Sequence, residues 1–198
     1  HLEGALEDKK NSREFLRIIQ EHANRLESLI NDLLDLASLE ERGVSLRKQE
    51  VNLKELADKI LMNFEAQLKK KEVEARNELP EHLIVKADKD KIEQVFTNLI
   101  DNAVKFNRQK GSIKIYAREL ADNKIKVLVK DSGWGIPSRD VPRIFERFYR
   151  VDKARSRAMG GTGLGLSIVK HIIELHGGSI DVESSEGLGS EFSFILPK

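Results

Sequence analysis

The chain has 198 residues, with 34 Lys and Arg, 33 Asp and Glu, and a formal net charge of +1. Nucleic-acid-binding proteins normally carry a clustered basic excess, so this balance predicts no nucleic-acid partner. No cysteine is present, which excludes disulfides, thiolate metal sites and cysteine nucleophiles. The 39% of hydrophobic residues can form a core, and no apolar run reaches the roughly 20 residues that a membrane span needs. We therefore expect a soluble globular protein, or the soluble part of a larger one, without membrane contact of its own.

The first 43 residues predict one long helix. Asn11 and Glu14 have the spacing of a capping box at its start, and Gly43 is the expected stop. An apolar row with alternating spacings of four and three residues, typical of a coiled-coil seam, consists of Phe15, Ile19, His22, Leu26, Leu29, Leu33 and Leu36. Such a helix needs partners, which a four-helix bundle formed by dimerisation would provide.

From residue 44 onward the pattern predicts an α+β sandwich, with a mostly antiparallel sheet and helices on one face. Hydrophobic periods of 3.6 and 2 distinguish the helices from the strands. The expected order is a strand at 44–51, a helix at 53–68, short strands at 73–79 and 83–87, a helix beginning near Asp88, a hairpin at 112–120 and 124–130, a helix at 164–176, and a closing hairpin at 179–185 and 190–196.

The helix that begins near Asp88 has an unusual polar face. Its residues Gln94, Asn98, Asn102 and Lys105 lie four, four and three positions apart, within an arc of about 80° opposite the apolar residues. Amide oxygens are suitable ligands for Mg²⁺, and a lysine one turn further on can meet phosphate charge. Taken alone, such a face is more often an ordinary solvated surface.

Two glycine clusters add to this pattern. The first, 131–137, follows a predicted strand, so that the Asp131 carboxylate can accept a hydrogen bond from an exocyclic amine while the glycines admit a flat ring. Trp134, inside this cluster, is bulky and would narrow the entrance of such a pocket. The second, 160–166, leads into a helix whose free N–H groups favour phosphate. Neither cluster is a Walker loop or a Rossmann fingerprint, and either alone is more often a turn.

Four ordered segments resemble the sequence boxes of sensor histidine kinases. Residues 98–105 resemble the N box, 131–136 the first glycine box, 145–150 the F box and 161–166 the second glycine box. Residues 12–40 resemble the second helix of the dimerisation and phosphotransfer domain, so the resemblance covers essentially the whole chain. It implies a Bergerat ATP-binding fold, a two-layer α/β sandwich at 44–198, preceded by the dimerisation helix at 1–43.

The resemblance also implies roles for individual residues. Asp131 would hold the adenine amine, Asn102 would be the Mg²⁺ ligand, and Lys105, Tyr149 and Arg150 would line the ring and the phosphate tail. The residues implied in ATP binding are Asn98, Asn102, Lys105, Asp131, Gly133, Gly135, Ile136, Tyr149, Arg150, Gly161, Thr162, Gly163, Leu164 and Gly165. The catalytic residues would be Asn98, Lys105 and Arg150. Residues 151–163 would form a mobile lid in which Lys153, Arg155 and Arg157 either follow phosphate charge or form a solvated basic loop.

The chain departs from the family pattern at two places. The histidine acceptor box of the first dimerisation helix is absent from this sequence, and His22 is better explained as a packing residue of the apolar seam. Gln94 stands where related ATPases carry a catalytic glutamate. Because a neutral amide cannot act as a general base, rapid ATP hydrolysis by water is not expected.

The resemblance therefore implies the kinase core of a two-component sensor. This protein-histidine kinase would use ATP and Mg²⁺ to phosphorylate a histidine of the dimerisation domain, and would pass the group to an aspartate of a response-regulator receiver domain. The intact protein would be a homodimer, and this fragment would be the cytoplasmic portion of a membrane-bound sensor, able to bind ATP but not to autophosphorylate. The alternatives are a nucleotide-binding docking module without turnover and an ATPase or serine kinase of the same superfamily.

Overall fold

The computed structural model describes residues 9–40, 45–152 and 161–198. A long helix, α1, precedes a body of helices and strands. In chain order the elements are α1 (Lys9–Glu40), β1 (Lys48–Asn52), α2 (Leu53–Asn63), α3 (Glu65–Lys71), β2 (Glu74–Asn77), β3 (Ile84–Asp88), α4 (Lys89–Lys105), β4 (Ser112–Leu120), β5 (Lys124–Asp131), a short 3₁₀ helix (Val141–Arg143), α5 (Gly165–Leu175), β6 (Ser179–Ser185) and β7 (Gly189–Pro197).

The main sheet has five strands in the order β2-β4-β5-β7-β6. Only the pair β2–β4 is parallel, and the other three pairs are antiparallel. Strands β1 and β3 form a separate antiparallel pair. The predicted α+β sandwich with a mostly antiparallel sheet is therefore confirmed, as are both hairpins.

The apolar faces of α4 and α5 pack on this sheet and form the core with it. Phe96 of α4 meets Phe194 of β7 edge to face, with ring centroids 5.7 Å apart at 77°. Leu99 and Ile100 are completely buried beside them. Because the apolar row of α4 is buried, its opposite polar row lies away from the sheet.

Helix α1 is buried only near its C-terminal end. Leu36 and Leu39 are buried, whereas Phe15 is 54% exposed and Leu26 59% exposed. His22 is exposed as well, so the expected packing role of this histidine is not seen in a single chain. The apolar seam that the sequence predicts is therefore present on α1, but largely uncovered.

Four boundary predictions were wrong. The strand predicted at 44–51 is limited to Lys48–Asn52. Asn11 does not cap α1, because the helix already includes Lys9; the expected stop at Gly43 lies outside the described residues. The helix predicted at 53–68 is two helices, since the backbone of Phe64 leaves helical geometry (φ −97°, ψ 3°) and its N–H bonds to Leu61 and Met62. The strand predicted at 73–79 is limited to Glu74–Asn77. Within the described ranges, no helix is both long and apolar enough to cross a membrane.

Candidate functional site

A cavity of about 360 Å³ opens between the polar face of α4 and the loops around it. Its walls come from α1, from α4, from the segment after β5, from residues 144–152, and from the segment that enters α5. Twelve of the fourteen residues implied in ATP binding line it: Asn98, Asn102, Lys105, Asp131, Gly135, Ile136, Tyr149, Arg150, Gly161, Thr162, Gly163 and Gly165. The topology thus brings the four sequence boxes to one place.

The other two implied residues do not line the cavity. Gly133 lies behind Asp131, and its N–H donates a 2.7 Å hydrogen bond to Asp131 Oδ1. Leu164 is completely buried at the start of α5, where its N–H donates to Thr162 Oγ1 at 3.2 Å. Both residues therefore support the residues that line the cavity. Of the expected lid, Lys153, Arg155 and Arg157 lie outside the described residues.

Asp131 is the buried carboxyl group of the cavity. It ends β5, where it pairs with Ser190 on β7, and only 7% of it is exposed. Burial raises its pKa from 3.8 to about 6, while the backbone N–H groups of Gly133 and Ser190 act in the opposite direction. A buried carboxylate with a cavity beside it is suited to accept a hydrogen bond from a ligand amine.

The polar face of α4 forms the opposite part of the cavity. Lys105 pairs with Asp101, with Nζ 2.6 Å from Oδ2, and Asp101 also lines the cavity. Asn98 donates from Nδ2 to the carbonyl of Gln94 at 3.0 Å. Gly165 approaches Asn98 so closely that a Cβ atom at this position would lie 2.6 Å from Asn98 Oδ1. The glycine that opens α5 thus lets backbone reach the amide row of α4.

Two residues that precede the F box hold Tyr149 at the cavity wall. The Tyr149 hydroxyl donates to Asp140 Oδ1 at 2.6 Å, and the Arg143 guanidinium lies 4.4 Å from the Tyr149 ring centroid. Phe148 adopts a φ of 61° and its N–H donates to the carbonyl of Gly163 at 2.9 Å. This bond ties the F box to the second glycine box.

Helix α1 contributes residues that sequence reasoning missed. Ser28 and Asp32 line the cavity, and Asp32 Oδ2 accepts a 2.6 Å hydrogen bond from the Thr162 hydroxyl. Burial raises the pKa of Asp32, and Thr162 lowers it again in part. Periodicity predicts which face of a helix is apolar, but it does not predict which distant segment a polar residue meets.

Two further contacts fix α1 beside the cavity. Gln94 Nε2 donates to Asp35 Oδ2 at 2.7 Å, so the Gln94 amide is engaged with this helix. His171 Nε2 lies 3.0 Å from the carbonyl oxygen of Leu39. Together with the buried Leu36 and Leu39, these bonds hold the last turns of α1 against α4 and α5.

The polar groups that line the cavity suit a nucleoside triphosphate. A buried carboxyl group lies beside glycines that admit a flat ring, and amides, a lysine and the residues that lead into α5 line the rest. Among the described residues there is no cluster of three or more His, Cys, Asp or Glu side chains suited to a metal. A divalent cation would therefore depend on an amide such as Asn102 and on oxygens of the ligand itself.

Two family models match the chain. Residues 87–198 match the model described as "Histidine kinase-, DNA gyrase B-, and HSP90-like ATPase", and residues 1–42 match "His Kinase A (phospho-acceptor) domain". Among curated proteins, the chain is 40% identical over 198 residues to sensor histidine kinase WalK of Bacillus subtilis, covering 98% of this chain and 32% of that protein. It is 39% identical over 197 residues to sensor protein kinase WalK of Staphylococcus epidermidis, covering 98% of this chain and 32% of that protein.

Solved structures agree with these matches. Full-length ShkA in complex with AMPPNP superposes with a TM-score of 0.79 at 28% identity, over 93% of this chain and 38% of that one. Histidine kinase ThkA in complex with response regulator protein TrrA superposes with a TM-score of 0.77 at 32% identity, over 96% of this chain and 52% of that one. The chain spans about a third of the length of the curated relatives named above. It belongs to the histidine kinase-, DNA gyrase B- and HSP90-like ATPase family, as a sensor histidine kinase catalytic domain.

Proposed function

We propose that the cavity binds ATP and that the chain is the kinase core of a two-component sensor. The observation that carries this proposal is that the buried Asp131 carboxyl lines the same cavity as the amides of α4 and the glycines of the two glycine boxes. Asp131 would accept a hydrogen bond from the adenine amine, with Gly135 and Ile136 beside the ring. The structure of ShkA in complex with AMPPNP supports the binding of a nucleotide by this fold.

The triphosphate would then lie along α4 towards α5. Asn98, Asn102 and Lys105 line this part of the cavity, together with the backbone of Gly163 and Gly165. Phosphate oxygens would compete with Asp101 for the Lys105 ammonium group, which is why we expect this ion pair to open in the complex. Asn102 would hold Mg²⁺, which would neutralise phosphate charge during transfer.

The reaction is a phosphoryl transfer to an imidazole nitrogen. The nitrogen attacks the γ-phosphorus, the bond to the β-γ bridging oxygen breaks, and ADP leaves as the histidine becomes phosphorylated. Because the protein contributes mainly positioning and charge in such reactions, Asn98, Lys105 and Arg150 would act by holding the γ-phosphoryl group. With Gln94 amidic and bonded to Asp35, the site lacks a general base for water at that position.

The acceptor and the partner lie beyond this chain. We place residues 1–43 as the second dimerisation helix and 44–198 as the catalytic domain, so the histidine would be supplied by a first helix within a homodimer. The complex of ThkA with TrrA supports a response-regulator receiver domain as the next acceptor. The whole protein would be a sensor kinase that carries out this chemistry in the cytoplasm, at a membrane-bound receptor.

Calorimetric titration of ATP with Mg²⁺ tests the site. We expect binding by the wild-type chain and a loss of about 10- to 150-fold for Asp131→Ala, because a buried hydrogen bond contributes roughly 1–3 kcal/mol. Asp181→Ala, an exposed β6 residue outside the cavity, is the matched control. A separately supplied acceptor domain should then gain label from γ-labelled ATP. No binding by the wild-type chain would reject the kinase core and favour a docking module.

A further inference from the structure

The rim of the cavity contains a tryptophan whose position is unusually well fixed. Trp134 is the single tryptophan of the chain, it lines the cavity, and it is 45% exposed. An exposed aromatic ring normally costs solubility without contributing to the core. Its location between Asp131 and the cavity-lining pair Gly135 and Ile136 places it at the proposed base-binding part.

The backbone of Trp134 is held on both sides. Its N–H donates to the carbonyl of Phe106, at the end of α4, at 3.1 Å, and its carbonyl accepts from the N–H of Gly187, in the β6–β7 turn, at 2.7 Å. The neighbouring Gly135 has a φ of +69°, and a Cβ there would lie 2.0 Å from the carbonyl oxygen of Ser185. The segment is thus clamped between α4 and the turn, which fixes the backbone from which the indole projects.

The side chain of Trp134 is held by Arg108. The guanidinium carbon lies 4.8 Å from the indole ring centroid, within the range of a cation–π contact. The same guanidinium donates from Nη2 to the carbonyl of Gly187 at 2.7 Å, so one cation bonds the turn and covers the ring. Trp134 lines the cavity and Arg108 does not, so Arg108 acts on the cavity through the indole.

We propose that Trp134 is a specificity-determining residue for the nucleotide base and that Arg108 is its positioning residue. The inference rests on the proposed ATP site. Asp131 would receive the exocyclic amine, so a group attached to that amine must find space beside Asp131, in the cavity that Trp134 also lines. The rim therefore accepts a purine with a free exocyclic amine and excludes one with a large substituent on it.

The test compares ATP with N6-benzyl-ATP by calorimetry on the 198-residue chain. We expect the wild type to bind ATP at least about tenfold more tightly than the benzyl analogue, in line with the discrimination that a shaped apolar pocket achieves. Trp134→Ala should bind ATP at least about fivefold more weakly, the low end for an aromatic contact to a base. It should bind the benzyl analogue as well as or better than the wild type, so that discrimination is lost.

Matched variants separate the rim from general damage to the fold. Trp134→Phe keeps an aromatic wall and should retain most of the discrimination, whereas Arg108→Ala should lose part of it. Arg108→Lys keeps the charge without the planar group and should resemble Arg108→Ala. Arg118→Ala is the control, because Arg118 covers the Tyr116 ring at 5.5 Å outside the cavity, and it should bind both nucleotides as the wild type does.

Tryptophan fluorescence gives a second readout, since Trp134 is the only source of indole emission. ATP should change this emission with the midpoint found by calorimetry, and Arg108→Ala should change the emission of the free protein. If ATP binds without a change in emission and Trp134→Ala discriminates between the two nucleotides as the wild type does, the proposed role of Trp134 is wrong. The proposed ATP site would then still stand. If the wild type does not bind ATP, the proposed ATP site is wrong, and the proposed role of Trp134 is wrong as well.

Discussion

Thr162 and Asp32 are 130 residues apart, and the hydroxyl of the first donates a 2.6 Å hydrogen bond to the carboxylate of the second. Both residues line the same cavity. The bond therefore joins α1 directly to the glycine-rich segment that would face the phosphates, and it places a carboxylate where phosphate charge is expected. Helix docking and the proposed nucleotide binding would therefore involve the same residue, Thr162.

We expect Asp32→Ala to bind ATP more tightly. Removing the carboxylate relieves repulsion of the triphosphate and frees the Thr162 hydroxyl, and about 1 kcal/mol of such repulsion corresponds to a gain of about fivefold in affinity. Calorimetry with ATP and Mg²⁺ measures this change. Asp35→Ala is the control, because Asp35 bonds Gln94 but does not line the cavity; it should loosen α1 without the same gain. Weaker binding by Asp32→Ala would contradict the repulsion.

The affinity for ATP should fall as the pH is lowered through about 6. In the free protein the pKa of Asp131 is raised to about 6 by burial, and the protonated carboxyl cannot serve as the charged acceptor for the adenine amine. Binding is therefore strongest when the carboxyl is ionised, above its folded pKa. Titrations of ATP from pH 5 to pH 8 measure the effect. Asp131→Asn has no carboxyl group at this position, so its pH profile shows how much of the change comes from protonation of the nucleotide itself. An identical pH profile in wild type and Asp131→Asn would count against Asp131 as the acceptor.

The raised pKa of Asp131 affects the stability of the fold in the opposite direction from ATP binding, because stability falls as the pH rises. Between the unfolded value of 3.8 and the folded value of about 6, the folded state holds a proton that the unfolded state has released. Asp131 therefore favours the folded state most below about pH 4, and this contribution declines as the pH rises to 6. Asp131→Asn should remove that component of the pH dependence in urea denaturation.

His176 should make the fold sensitive to acid. Its Nε2 accepts from the backbone N–H of Asp88 at 3.0 Å, and its Nδ1 lies 2.8 Å from the carbonyl oxygen of Ile172, so both nitrogens are used by the neutral ring. Burial lowers its pKa. Since the unfolded chain binds a proton below about 6.5 while the folded chain resists it, stability is complete above pH 6.5 and is lost as the pH falls.

Urea denaturation at pH 8 and at pH 5.5 measures this sensitivity. We expect His176→Ala to cost about 2–3 kcal/mol at pH 8, because it leaves a buried N–H without a partner and opens a cavity. The loss between the two pH values should be smaller in the variant than in the wild type. The exposed His82 provides the control, as His82→Ala should keep the wild-type loss. Equal losses in all three proteins would reject His176 as the source.

The uncovered seam of α1 should make the chain self-associate. Phe15, Ile19, Leu26 and Leu33 are between 48% and 61% exposed, and adjacent apolar side chains on one helix favour association. Light scattering at several protein concentrations should show dimers or larger species, and Leu26→Glu should shift the population towards monomer. Ile84→Glu changes an exposed residue of β3 and should not. A monomeric wild type would rule out the seam as an association surface.

Local patterns predicted the body of the fold well. The row Asn98, Asn102 and Lys105 lies on one face of α4 because helical spacing fixes it, and burial of Phe96 and Leu99 turns that face to the cavity. The break at Phe64 had no signal, because neither glycine nor proline interrupts the apolar spacing there. Asp32 could not be assigned to the cavity either, since its contact with Thr162 depends on how two elements dock. The bulk of Trp134 is evident from the sequence, but its support by Arg108 becomes visible only when α4 and the β6–β7 turn are brought together.

Helix α1 is long and is docked on the rest of the fold near one end. Its 32 residues extend about 48 Å at 1.5 Å per residue, and its buried contacts are confined to the last turns, near Leu36 and Leu39. A tilt of about 10° at Leu36 would move the far end of the helix, about 40 Å away, by about 7 Å. Conversely, a small displacement of the far end shifts the position of Asp32, which lies close to the docked end, by only about a few tenths of an ångström. Strain applied far from the cavity therefore changes the length of the hydrogen bond between Asp32 and Thr162, which lies in the cavity wall.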